Sequence, residues 1–150
     1  MSSTRRPTID ISASCACGAV AVTVRGRAHA MFLCSCEDCQ RATGAGHAAA
    51  AMVDRASVSV IGRTRSFSRP AASGADFTRH FCPTCGTPLF ASTTRAPDRL
   101  LLPVGLFGPQ SDWFVPGQLI FSRSHREWDT VAADLPRHAT YRDERTNDSV

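Results

Sequence analysis

Lysine is absent from this 150-residue chain, and all 17 of its positive side chains are arginine. Schiff-base chemistry on a carbonyl needs a lysine or the α-amino group, so lysine-based carbonyl chemistry is excluded. Arginine suits a different task, the two-pronged capture of carboxylates or phosphates. Long apolar runs are missing too. Nothing approaches the roughly 20 residues that a membrane-spanning helix needs, so no membrane partner is expected. The opening stretch, M-S-S-T-R-R-P-T-I-D, carries charge but no apolar segment, and no secretory signal is expected there. Seven cysteines, an odd number, without an export signal argue against a disulfide framework and for a reducing, cytoplasmic location. The remaining composition, 43% hydrophobic and 20% charged, is ordinary for a globular protein.

A chain of this length makes one domain with a core of its own. Residues 1–12 read as a flexible N-terminal arm, 13–141 as a single β domain, and 142–150 (R-D-E-R-T-N-D-S-V) as a polar tail. Alternating or β-branched runs predict strands over 19–24, 29–34, 47–53, 57–61, 63–68, 76–81, 88–94, 99–104 and 118–122. Gly, Pro and Ser turns separate them, which indicates a mainly β architecture. The alanine run at 48–51 is compatible with a helix or a buried strand. Helix is otherwise expected only in short pieces, such as C-E-D-C-Q-R-A-T at 36–43.

The cysteines divide four plus three. Cys15 and Cys17 form C-x-C, and Cys82 and Cys85 form C-x-x-C within C-P-T-C-G. On extended backbone the sulfurs of C-x-C point to one face. In C-P-T-C-G, Pro83 fixes one φ and Gly86 can take the left-handed conformation that turns N–H groups towards the sulfurs. Four thiolates make a closed tetrahedral zinc site, which would tie the first strand to the middle of the chain.

Cys34, Cys36 and Cys39 lie within C-S-C-E-D-C, close enough for one turn to wrap a second metal. Three ligands leave one coordination position, either open or closed by a distant residue such as His47, His80 or His125. Three thiolates over-neutralise Zn2+, leaving a net charge of about −1 and a weak Lewis acid. Such a site is better at holding an incoming thiol as thiolate than at activating water. Arg41, Arg79 and Arg126 are candidates for holding substrate carboxylates. With seven bound thiolates and two Zn2+, the formal charge of +4 falls to about +1. A nucleic-acid partner is therefore not expected, and the arginines are scattered rather than clustered.

Three motifs in order, C-x-C-G-A-V, C-x-C-x-x-C-Q-R-A-T-G and R-x-F-C-x-x-C-G-x-P-L-F, carry a family resemblance. From about Cys15 to Trp128 the chain resembles the glutathione-dependent formaldehyde-activating enzyme family, of centromere protein V-like type. The resemblance implies a β-tent fold of short antiparallel strands clipped by zinc, with few short helices. It implies two Zn2+ per chain: Cys15, Cys17, Cys82 and Cys85 as the structural set, Cys34, Cys36 and Cys39 as the open, active-site set. The implied activity is that of a carbon–sulfur lyase that forms or cleaves S-hydroxymethylglutathione, with glutathione as the small-thiol partner. After R-A-T-G the family commonly continues with a small residue and an aromatic, whereas this chain has A-G-H. His47 stands there, placed to close the metal or to shuttle a proton. The alternative is a non-catalytic zinc module that binds a protein partner, as a Rab accessory factor of the same fold does.

Overall fold

A computed structural model describes residues 6–142. The first five residues of the expected arm, and the expected tail from residue 143, lie outside the described residues. The chain is mainly β, as the sequence predicts. Its strands are β1 (Thr8–Ser14), β2 (Ala21–Cys34), β3 (Ala48–Asp54), β4 (Val58–Ile61), β5 (Arg65–Pro70), β6 (Asp76–Phe81), β7 (Pro88–Thr93), β8 (Arg99–Pro103) and β9 (Leu119–Ile120). Among the described residues one α-helix, α1, spans Glu37–Thr43, and 3-10 turns cover Arg55–Ser57, Val104–Gln110 and Ser122–Ser124. Among the described residues no helix is long and apolar enough to cross a membrane.

Two differences from expectation have physical causes. Residues 8–12, read as a loose arm, belong to β1, which pairs antiparallel with β2 from Thr8↔Arg27 to Ser14↔Ala21. The alternation T-I-D-I-S buries Ile9, and burial of an aliphatic side chain stabilises by about 1.5–3 kcal/mol. The second difference is β2 itself, one 14-residue strand where two were expected. R-G-R at 25–27 looks like a turn, but Gly26 stays extended within the strand. A Cβ there would overlap the Ser57 side chain, so glycine serves close approach rather than a bend.

Within the span read as one domain the chain forms two compact units. The first comprises residues up to Ala30 together with Ala51–Phe114. Its strand path is β1-β2-β3-β8-β7-β6-β5, with β4 paired to β2. Val20, Val22, Val24, Val53, Leu89, Leu102 and Phe107 form its core. The β6–β7 register shifts between His80 and Phe81, immediately before Cys82. The second unit comprises Met31–Ala50 and the residues from Val115 on. There β9 runs parallel to the end of β2, pairing Leu33 with Leu119 and Cys34 with Ile120. Buried Phe121 follows β9 and holds a left-handed backbone (φ 55°), the one non-glycine residue described that does so. Its ring meets Tyr141 edge-on at 4.8 Å, and its N–H donates to the Thr140 carbonyl.

Candidate metal centres and a histidine cluster

In the first unit two turns face each other through sulfur. Gly18 N–H donates to the Cys15 carbonyl, and Gly86 N–H, at φ 75°, donates to the Cys82 carbonyl. The Cys15, Cys17, Cys82 and Cys85 sulfurs all lie within 4.8 Å of one another. Cys15–Cys17 and Cys17–Cys82 are separated by 3.6 and 3.7 Å. Tetrahedral ligands at metal–sulfur distances of about 2.3 Å stand about 3.8 Å apart, so these four residues fit a zinc ion. Thr87 joins the two turns: its Oγ1 accepts the Ala16 N–H at 3.1 Å and lies 3.1 Å from Cys85 Sγ. Towards a Cys85 thiolate that hydroxyl can act only as donor. The Thr87 hydroxyl, with the Thr87 N–H, brings the Cys85 thiol down to about 5. Cys17 goes the other way, up to about 11: a backbone N–H at Ala19 favours its thiolate most strongly, but Cys15, burial, Cys82 and Cys85 together outweigh it. Unequal thiols crowded together in this way become four thiolates only around a cation.

In the second unit Cys34 ends β2, Cys36 caps α1 by accepting the Cys39 N–H at 3.3 Å, and Cys39 sits in the first turn. Their three sulfurs also lie within 4.8 Å of one another. No histidine nitrogen or carboxylate oxygen among the described residues joins that set. Cys36, then Cys39, then burial push the Cys34 thiol far up. Three thiolates here again require a cation, and the donor set suits zinc. Gln40 pins the segment: its Nε2 donates to the Ser35 carbonyl at 2.8 Å and to the Ser124 carbonyl at 3.0 Å. One amide thus bridges the Cys34–Cys36 loop and the segment that precedes His125.

The histidines separate. His47 Nδ1 lies 2.7 Å from Asp129 Oδ2. His125 Nε2 lies 3.2 Å from the same oxygen, yet it is buried and out of hydrogen-bonding line. His80 belongs to the first unit, stacked on Phe90 with ring centroids 4.3 Å apart. Burial, then the charge of Arg55, lowers its pKa below 6.5. The candidate arginines have protein partners. Arg126 Nε donates to Gln40 Oε1 at 3.1 Å, Arg41 lies 3.7 Å from both Glu37 and Asp38, and Arg79 lies over the Phe77 ring.

Residues 10–124 match the profile of the family described as glutathione-dependent formaldehyde-activating enzyme. The chain belongs to this family. Among solved structures it is similar to the crystal structure of a Rhodobacter sphaeroides protein, a Northeast Structural Genomics target. Identity is 22%, the TM-score is 0.53, and the likeness covers 71% of this chain and 98% of the other. It shows a shared fold. No curated protein matches the chain.

The formaldehyde-activating family match contains all seven cysteines, Gln40 and His47, but ends at Ser124. His125 and Asp129 lie beyond it. Sequence reasoning missed Thr87, Gln40, Gly46 and Asp129. Gln40 stands inside a family motif and carries that signal, whereas Asp129 has no motif spacing to betray it. A Cβ on Gly46 would overlap the Asp129 Cβ and Cγ, and only the fold makes that visible.

Proposed function

We propose that the chain is a zinc-dependent, carbon–sulfur lyase-type enzyme acting on a small thiol–aldehyde adduct. S-hydroxymethylglutathione, formed from glutathione and formaldehyde, is the adduct that the family name suggests. The observation that carries the reading is the three-sulfur set of Cys34, Cys36 and Cys39, which no histidine nitrogen or carboxylate oxygen among the described residues joins. A zinc ion held by Cys34, Cys36 and Cys39 would offer its remaining position to a thiol sulfur and favour that sulfur's thiolate form. His47 accepts the thiol proton. The freed sulfur electron pair forms the bond to the aldehyde carbon, and the carbonyl oxygen takes the proton back as a hydroxyl. Cleavage runs the same steps in reverse. Cys15, Cys17, Cys82 and Cys85 would hold the second, structural zinc in this reading, and metal-held thiolates suit the reducing cytoplasm.

A second reading, a non-catalytic zinc module that docks a protein partner, draws on Trp128 and Val115, which are 70% and 67% exposed. Cobalt in place of zinc separates the two. Thiolate-to-cobalt charge-transfer absorbance should rise saturably with glutathione, and Cys36→Ser should abolish the rise. An unchanged spectrum at millimolar thiol would overturn the enzyme reading and leave the docking module.

A further inference from the structure

We propose that Asp129 is the positioning residue for His47, and that Gly46 is the opening that admits it. The proposal rests on the reading above, in which His47 moves the thiol proton. A carboxylate oxygen only accepts, so the 2.7 Å contact with Asp129 Oδ2 requires His47 Nδ1 to be the donor. In a neutral imidazole the lone pair then sits on Nε2, which is fixed as the nitrogen that takes and returns a proton. Asp129 suits the task because its side chain is only 12% exposed, against 26% for His47. A largely desolvated carboxylate holds the ring orientation and stabilises the imidazolium that forms on proton uptake. As the S–H bond breaks, the Nε2–H bond forms; the positive charge stays on the ring beside Asp129 until the oxygen of the adduct takes the proton.

Two further observations show that this placement is built into the chain. At position 46 a Cβ would overlap the Asp129 Cβ and Cγ and stand 2.7 Å from Oδ2, so any side chain there displaces the carboxylate. The turn that carries Asp129, closed by its N–H to the Arg126 carbonyl at 3.1 Å, follows directly on the segment that Gln40 ties to the cysteine loop.

The test uses the zinc-loaded full chain labelled with 15N-histidine. Long-range proton–nitrogen spectra, with His47→Gln for assignment, report which His47 nitrogen carries hydrogen. The Nδ1–H form is expected in the wild type, a readout that needs neither the Asp129 nor the Gly46 variant to fold. Asp129→Asn and Gly46→Ala should both populate the Nε2–H form, and Asp129→Glu should restore part of the wild-type signal. Adduct-forming rates should fall on the order of 10²–10⁴-fold in His47→Gln. Asp129→Asn should show a comparable kcat loss with KM for the thiol unchanged, and the double variant should be no slower than His47→Gln alone. A wild-type ring in the Nε2–H form, or additive losses in the double variant, would overturn the proposal. An Nδ1–H ring that responds to Asp129→Asn and Gly46→Ala in a protein without thiol–aldehyde activity would overturn the enzymatic reading instead, leaving the Asp129–His47 orientation standing.

Discussion

The two cysteine clusters hold sulfur in opposite ways. In the first unit Cys17 and Cys82 are 65 residues apart in sequence and meet only because β1–β2 and β6–β7 present their turns together. In the second unit Cys34, Cys36 and Cys39 come from one strand end and one helix turn. Gathering the first set closes a long loop, whose entropic cost folding must offset; gathering the second costs almost no loop closure. Similar donors would therefore serve different ends. A metal in the non-local set would stabilise the fold itself, whereas a metal in the local set would be nearly free of that duty, as the proposed function requires.

The largest effect expected from this contrast is at Cys82. Cys82 is buried, and structural zinc contributes roughly 10–16 kcal/mol where it has been measured, against whole-domain stabilities of about 5–15 kcal/mol. Cys82→Ser should abolish the cooperative thermal transition, and a sharply melting, soluble variant would break the comparison. A smaller effect is expected at Cys36. Cys36→Ser should lower the metal content by about one ion per chain while circular dichroism and melting stay close to wild type. If it unfolds the protein as Cys82→Ser does, both clusters are structural.

The smallest effect sharpens the contrast by separating protons from metal. Acid protonates thiolates in both clusters, but His80 adds a term of its own to the first unit. Its folded pKa lies below 6.5, so just under that pH the unfolded chain binds more protons than the folded one. Stability from this source is constant above 6.5 and declines as pH falls from there to the folded value. His80→Gln should flatten that decline by under about 1 kcal/mol, since solvent screens a partly exposed ring. Denaturation midpoints of metal-loaded protein at a series of pH values would measure it, and parallel curves for the two proteins would remove His80 from the account.

Much of the fold and both cysteine sets are legible in the sequence because their signals are local or paired. Alternation and β-branching mark strands such as β4 and β6, and C-x-C with C-x-x-C marks a metal whatever the intervening topology. The strand at Thr8–Ser14 escaped because arginines and a proline precede it, which masks an alternation that only pairing with β2 makes effective. Gly26 misled because a glycine that bends a chain and one that admits a neighbour look identical in sequence. The Asp129–His47 pair spans 82 residues and follows no spacing rule; it exists only once α1, Gln40 and the turn after Ser124 are in place. Thr87 was hidden for the same reason, since its partner Ala16 is 71 residues away.

Phe121 imposes opposite demands on one codon. Its left-handed backbone favours glycine or asparagine by about 1–2 kcal/mol, while the buried ring against Tyr141 favours a large aromatic. No standard amino acid meets both demands. Replacing it by glycine relaxes the backbone and hollows the interior; replacing it by leucine keeps the strain and loses the edge-on contact. A single substitution that gives up the ring is therefore expected to need a compensating change at Tyr141 or in the loop length, so that such changes come in blocks.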